Sequence, residues 1–337
     1  MDLERHEWLS QSNEIALDPH REIIDAHHHL WERGGSRYLA EELNADTSLT
    51  HNITKTVFVE CKANYLQNEL GELRSLGETI FVASEAERLK EISDTSIGAI
   101  VGFIDMSLGE EIAEIIESHV EAANGLFRGV RHATGWSEDS NIGNSHTNPS
   151  KGIMGNPEFI KGVQTLSDAG YSFDAWLYFD QLNELVELAE RVPNAKIILN
   201  HLGGPLGIGK WNSKFQDVDT RWQESMLALS ELRNVYLKLG GIGMDNYFGT
   251  GWAARDKPPS SEEAADFWRD KITRCIEYFG PSQCMFESNY PVDRQTLPYP
   301  VLWNAFQIIA SGYSNSEQDQ LFSTTAKTVY KIEDTET

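Results

Sequence analysis

Short apolar runs alternate with longer amphipathic segments along most of the chain. Eight runs are rich in the β-branched and aromatic residues that favour strands, and residues 197–199 are wholly apolar. Apolar runs of this kind indicate strands that are covered on both faces, as in a parallel sheet. The predicted strands span residues 23–27, 56–60, 99–104, 127–132, 172–177, 196–201, 235–239 and 284–288.

Helical patterns separate these predicted strands. Residues 110–123 place isoleucine and valine side chains at helical spacing, which makes an apolar stripe. Pro157 follows a predicted N-cap at Asn156, and Ser260 with Glu263 reads as a capping box. Eight strands that are each followed by a helix or connection predict a single-domain (β/α)8 TIM barrel. A doubly wound open sheet is the alternative, but no Gly-rich dinucleotide or phosphate loop follows any strand.

The pattern also predicts how the chain is divided. Residues 1–22 form an N-terminal arm, residues 23–331 form the barrel, and residues 332–337 form a polar tail. Two long connections, 133–155 and 240–259, follow strands and therefore lie on the catalytic face of a barrel. Long loops at this position act as lids or are variable surface insertions.

Composition limits the kinds of molecule that the protein is expected to bind. The net charge is −24, from 28 basic and 52 acidic residues, which disfavours nucleic acid and anionic membranes. The three cysteines have no Cys-x-x-Cys spacing, which fits a reducing compartment without a disulfide framework. No apolar run approaches the roughly 20 residues of a membrane helix. We expect a cytoplasmic protein with a small-molecule substrate, and a homodimer only as the commonest oligomer.

Candidate chemistry begins at the first predicted strand. Alternate side chains of a strand share a face, so Asp25, His27 and His29 point one way and His28 the other. Two imidazoles on one face can converge on a single ion. A polar strand end without a function is the simpler alternative.

Polar residues also end most of the other predicted strands. The active site of a TIM barrel forms at the carboxyl ends of its strands. Charged side chains are rarely buried there without a partner or a task. The residues concerned are Glu60, Arg131, His132, Asp174, His201, Lys238, Glu287 and Asn289.

Five segments, in this order, resemble the amidohydrolase superfamily in its amidohydrolase-related branch of lactonase-like TIM-barrel hydrolases. That branch is similar to fuconolactonases and pyrone-dicarboxylate lactonase. The matching segments are IDAHHHLW at 24–31, FRGVRH at 127–132, NHLGGP at 200–205, KLGG at 238–241 and MFESNYPV at 285–292. They span nearly the whole chain, and they are specific for the superfamily more than for a substrate.

The resemblance implies a hydrolase that opens a small lactone, carboxylated or polyhydroxylated, by attack of water on the carbonyl. It implies one divalent metal, zinc by preference, held by His27, His29 and His201. The acid that usually ends the eighth strand is Asn289 here. An amide is not a general base, and it is a weaker metal ligand than a carboxylate. Some relatives in this branch work without a metal, and histidines and arginines would then polarise the carbonyl.

Two carboxylates are candidates to replace the missing acid. Glu287 lies two residues before Asn289, and Glu60 ends the second strand. Either is a base or a metal ligand, or an ion-pair partner for Arg131 or Lys238. The two interpretations are equally compatible with the sequence.

The remaining candidates concern substrate binding. The planar guanidinium of Arg131 suits a carboxylate or a lactone oxygen, and Lys238 offers a similar charge. His132 is a ligand, a donor to one, or a plain strand-end residue. His146, in the first long loop, has no predicted role. An aromatic wall for a ring-shaped substrate is predicted from Trp31, Trp176 and Tyr290.

Two other functions remain open from the sequence alone. Related metal-binding barrels decarboxylate aromatic acids, and carbon dioxide instead of a ring-opened acid would identify that reaction. A barrel that binds a ligand without catalysis is the other, and Asn289 is its best support.

Overall fold

The computed structural model of the protein describes residues 3–67, 69, 71–247 and 249–333, so positions 334–337 of the predicted tail lie outside it. Eight parallel strands form one sheet, and two short strands form a separate hairpin. The strands are β1 (Glu22–His28), β2 (Trp31–Arg33), β3 (Ser36–Tyr38), β4 (Asn52–Val59), β5 (Ser96–Gly102), β6 (Phe127–Arg131), β7 (Ser172–Ala175), β8 (Lys196–Leu199), β9 (Val235–Leu239) and β10 (Cys284–Phe286).

The sheet closes on itself beyond β10. Its order is β1-β4-β5-β6-β7-β8-β9-β10, and every neighbouring pair is parallel. The chain just after β10 returns to β1, where the Asn289 N–H donates to the His27 carbonyl (2.9 Å). The His29 N–H donates to the Tyr290 carbonyl across the same seam (2.7 Å). The predicted (β/α)8 barrel is therefore confirmed.

Helices surround the barrel. The predicted caps are present: the Asn156 side chain accepts from the Glu158 N–H, and the Ser260 side chain accepts from the Glu263 N–H. None of the helices in the described part is long and apolar enough to cross a membrane. They are α1 (Leu3–Leu9), α2 (Ala40–Thr47), α3 (Leu76–Ile92), α4 (Ile112–Ala122), α5 (Pro157–Asp168), α6 (Leu182–Arg191), α7 (Phe215–Ser230), α8 (Ser261–Phe279), α9 (Tyr299–Ala310), α10 (Asn315–Asp319) and α11 (Thr325–Tyr330).

Apolar side chains form two clusters because successive residues of a strand face opposite sides. Ile23 packs in the larger cluster between strands and helices, whereas Ile24 belongs to a smaller cluster with side chains of β4, β5 and β8. The carboxyl-terminal segment adds Val329 and Tyr330 to this smaller cluster. The Tyr330 hydroxyl also donates to the Asp174 carboxylate (2.9 Å).

Gly204, just after β8, offers a test of the backbone that supports the site. Its φ is +64°, and an added Cβ would clash with the carbonyl oxygen of Leu177. Gly204→Ala should lower the free energy of unfolding by about 3 kcal/mol, from the strained φ and the overpacked contact. Gly155→Ala is the matched control, because nothing lies within 4 Å of its Cβ position. Equal urea-unfolding midpoints for the two variants would contradict this role of Gly204.

Candidate active site

Asp25 ties the first strand to the segment that follows the last one. Its Oδ1 accepts from the Ser288 N–H (2.8 Å) and the His27 N–H (3.3 Å), and its Oδ2 accepts from the Tyr299 hydroxyl (3.0 Å). Burial raises the pKa of Asp25 to about 6, partly offset by these hydrogen bonds. Asp25 therefore sets the register between His27 and Asn289 instead of facing a substrate.

His27 lies in β1 and His29 lies just after it. The rings of these two predicted histidines are within hydrogen-bond distance of each other. His29 Nδ1 lies 2.7 Å from the Val59 carbonyl, so this nitrogen is the donor and Nε2 carries the lone pair. His27 Nε2 lies 3.2 Å from His29 Nε2. Burial lowers the pKa of both imidazoles well below the usual value, so both are neutral.

Glu287 lies fully buried between His27 and His201. Its Oε1 accepts from the His201 N–H (3.1 Å) and from His201 Nδ1 (2.6 Å). Its Oε2 lies 2.9 Å from His27 Nδ1, yet it accepts no hydrogen bond of acceptable geometry. Burial raises the pKa of Glu287 to about 8, even though the Lys238 ammonium and the His201 N–H lower it.

His27, His201 and Glu287 could hold a metal ion. One nitrogen from each ring and one carboxylate oxygen lie within 4.8 Å of one another. Two histidines and a glutamate are an established ligand set for catalytic zinc. Glu287 Oε2 is buried and accepts no hydrogen bond, and a bound cation would neutralise such an oxygen. The residues therefore fit a divalent metal, with Glu287 in the place that the sequence assigned to His29.

Two buried ion pairs flank His27. Arg131 Nε donates to Glu60 Oε1 (2.8 Å), and Lys238 Nζ donates to Asp174 Oδ2 (2.8 Å). Arg131 Nη1 lies 3.4 Å from His27 Nε2, and Lys238 Nζ lies 3.4 Å from His27 Nδ1. Of the two roles that the sequence left open, Glu60 therefore has that of ion-pair partner to Arg131. Glu287 instead contacts His27 and His201.

His146 joins the site from the long loop after β6. Its Nε2 lies 2.9 Å from Glu60 Oε2, and its side chain is 32% exposed. Burial alone would raise the pKa of Glu60, but His146 and Arg131 outweigh it and lower the pKa to about 2. Sequence reasoning missed this residue, since its position in a loop at the catalytic face was the only signal.

A cavity of about 270 Å³ opens above these groups. His201 connects it to the buried cluster, and the predicted Trp31 and Trp176 form part of its wall. A larger cavity of about 640 Å³ lies between the N-terminal arm, α2 and the start of α9, and it is not lined by His27, His201 or Glu287. The residues that line the smaller cavity are His29, Trp31, Arg33, Cys61, Lys62, Arg131, His146, Trp176, His201, Met244, Asn289 and Val292.

Two predicted residues have other surroundings. His132 packs against Phe103 and Phe159, and its Nδ1 accepts from the Met106 N–H (3.2 Å). Tyr290 is buried against other tyrosines, and its hydroxyl donates to the Leu297 carbonyl. Neither lines the smaller cavity.

Asn289 does line the cavity, but its amide points to a neighbour. Its Nδ2 donates to Asp293 Oδ1 (2.8 Å). Burial raises the pKa of Asp293 well above its usual range. Asp293 Oδ2 also accepts from the Gly243 N–H (2.8 Å), so both oxygens of this carboxyl group are hydrogen-bonded and it does not replace the missing acid.

Comparison with known proteins places the chain in a family. A family model described as amidohydrolase matches residues 24–332. The chain belongs to the amidohydrolase family. The resemblance of the five ordered segments is thereby confirmed, and this family membership identifies the protein as a hydrolase.

Individual relatives of this amidohydrolase are distant. An uncharacterised protein, y4mH, of Sinorhizobium fredii is 30% identical over 328 residues, covering 92% of this chain and 98% of the relative. An L-rhamnono-gamma-lactonase of Scheffersomyces stipitis is 23% identical over 309 residues, covering 80% and 85%. An amidohydrolase from Burkholderia multivorans, solved with bound Zn, superposes with a TM-score of 0.71 at 20% identity, covering 92% and 99%.

Glu78 of α3 gives a pH test of the segment beside Glu60. Its Oε1 accepts from the N–H groups of Cys61 (2.9 Å) and Ala63 (2.7 Å). Burial, reinforced by Glu60, raises the pKa of Glu78 from 4.5 to about 8. The folded state thus holds this proton more tightly, and stability falls as pH rises from about 4.5 to 8.

Glu78→Gln should remove this part of the pH dependence, because the amide stays neutral and keeps an acceptor oxygen. Urea unfolding of both proteins at about pH 5 and about pH 9 is the measurement. The variant should lose less stability than the wild type between the two pH values. The same loss in both would show that Glu78 does not titrate in this range.

Proposed function

We propose that this amidohydrolase opens a small lactone with water. The observation that carries the proposal is the connection between a small cavity and a buried cluster of His27, His201 and Glu287. Carbonyl polarisation needs fixed dipoles or charges aimed at one oxygen, and this cluster with Arg131 concentrates them at one end of the cavity.

The cavity favours water as the nucleophile. No serine or threonine is among the described residues that line it. Cys61 does line it, but burial raises the pKa of its thiol well above the usual value, which leaves the thiol protonated. A covalent intermediate on a hydroxyl or thiol is therefore not supported.

His27, His201 and Glu287 would hold a divalent metal such as zinc. When bound, the metal supplies a Lewis acid for the substrate carbonyl. His29 Nδ1 donates to the Val59 carbonyl, which fixes the ring against β4. Arg131 keeps its guanidinium at the cavity floor because Glu60 holds its Nε, and it orients the substrate oxygen there.

Size and charge of the cavity support a single acidic or hydroxylated ring. A volume of about 270 Å³ is at the low end of ligand pockets, which begin at about 300 Å³ for drug-sized molecules. Arg33 stacks on Trp31 at 4.7 Å, and Arg33 and Lys62 have no carboxylate partner among the ion pairs of the described residues. The relative named as an L-rhamnono-gamma-lactonase supports a sugar-derived lactone.

A panel of five- and six-membered aldonolactones, together with carboxylated lactones, tests the proposed function. Proton release in a pH-stat should accompany hydrolysis of at least one of them. His201→Asn should lower kcat/KM by about 10³-fold or more, since the ring touches both the cavity and Glu287. No proton release from any lactone, or carbon dioxide from an aromatic acid, would contradict the proposal.

Metal binding has its own test in Glu287→Gln. Calorimetric titration of chelator-stripped protein with Zn²⁺ should show one tight site. The variant should bind more than about 100-fold more weakly, because even outer partners of ligands are worth about 10- to 100-fold. Glu262→Gln is the control, since Glu262 is exposed on α8. Equal Zn²⁺ affinity in the Glu287 variant would exclude this carboxylate as a ligand.

A further inference from the structure

The structure leaves the water-activating base unassigned. Asn289 occupies the place of the usual acid, and its amide is bonded to Asp293. Glu287 is fully buried beneath the cavity and takes hydrogen bonds from His201. Glu60 is fixed by Arg131 through both its carboxylate and its carbonyl oxygen. Glu287 Oε2 accepts no hydrogen bond, but it faces His27 inside the buried cluster and not the cavity, and both Glu60 oxygens are hydrogen-bonded, to Arg131 and His146.

The loop holds His146 over the cavity through its two neighbours. The Ser145 hydroxyl donates to the Ala133 carbonyl (3.0 Å), and the Ser145 N–H donates to the Gly135 carbonyl (2.7 Å). The Thr147 hydroxyl also donates to the Ala133 carbonyl. Both residues that flank His146 are thereby tied to the base of the loop, next to the end of β6. The imidazole is positioned by the backbone before a substrate arrives.

Glu60 fixes which nitrogen of His146 carries the proton. Because Glu60 is ionised and 2.9 Å from Nε2, this nitrogen donates to the carboxylate. Nδ1 then carries the lone pair, and it has no partner among the described residues. A carboxylate that orients an imidazole, with the opposite ring nitrogen left for the reactants, is the arrangement used by serine hydrolase triads.

We propose that His146 is the proton-transfer residue of this site, with Glu60 as its positioning residue. The inference rests on the proposed lactone hydrolysis and names the base that the reaction needs. His146, which lies in the loop, thus accepts the proton that the usual acid at position 289 would accept.

His146, oriented by Glu60, can both accept and return the proton that the reaction moves. The water oxygen bonds to the carbonyl carbon while Nδ1 of His146 takes one water proton. The bond between that carbon and the ring oxygen then breaks, and the same proton passes from Nδ1 to the ring oxygen. The products are a carboxylic acid and an alcohol, and Glu60 stays ionised throughout.

Kinetics of His146→Ala and His146→Gln test the proposal on a lactone that the wild type hydrolyses. We expect kcat to fall by about 10²- to 10⁴-fold in both variants, with the fold retained. Added imidazole should raise the rate of the alanine variant in proportion to its concentration. His20→Ala is the control, because His20 is exposed and precedes the start of β1, whereas the site lies at the carboxyl ends of the strands, and the kcat of this variant should stay at the wild-type value.

The role of Glu60 has a separate spectroscopic readout. Nitrogen NMR of the wild type should show His146 as the tautomer with its proton on Nε2. In Glu60→Gln this preference should be lost and kcat should fall. The same tautomer in both proteins would overturn the positioning role.

Other outcomes separate the two proposals. A wild type that hydrolyses lactones and a His146→Gln variant within about threefold of it would overturn the assignment of His146 and leave the lactonase proposal standing. Loss of activity without rescue by imidazole would make His146 a structural residue. A wild type that hydrolyses no lactone would remove the proposed function, and this inference with it.

Discussion

The site depends on one buried carboxylate. Glu287 has no exposed surface, and its two oxygens face His201 and His27. A carboxylate in such surroundings must be protonated, hydrogen-bonded on all sides or bound to a cation. His201 satisfies one oxygen and leaves Oε2 without a hydrogen bond. The rest of the site can be understood as the surroundings of this unsatisfied atom.

The charged side chains around Glu287 form fixed ion pairs. Arg131 is paired with Glu60 and Lys238 with Asp174, so the two cations nearest to His27 are already neutralised. The imidazoles stay neutral because burial lowers their pKa, and Glu287 carries the remaining negative charge when ionised. A divalent ion or a proton balances that charge. The barrel thus holds Arg131 and Lys238 in ion pairs, while Glu287 is left to bind a cation or a proton.

The barrel fold could be predicted from the sequence, whereas many contacts between the site residues could not. Strand runs and caps are local patterns, and they placed the barrel and the β1 histidines correctly. The partner of Arg131 could not be chosen, because Glu60 lies 71 residues away and competed with Glu287. His132 and Tyr290 were assigned because they lie at predicted strand ends, and the direction of a side chain is not fixed where a strand ends, as at the left-handed Asn289 (φ +54°). His146 lies in a loop, where no periodicity links sequence to direction.

Zinc in a crystal would test the central claim most directly. An anomalous difference map, recorded at the zinc edge from crystals of chelator-treated protein soaked in zinc, would locate the ion. The account predicts one strong peak about 2.0–2.2 Å from a nitrogen of His27, a nitrogen of His201 and an oxygen of Glu287. A map with no peak at this cluster, or with zinc bound only elsewhere on the barrel, would contradict it.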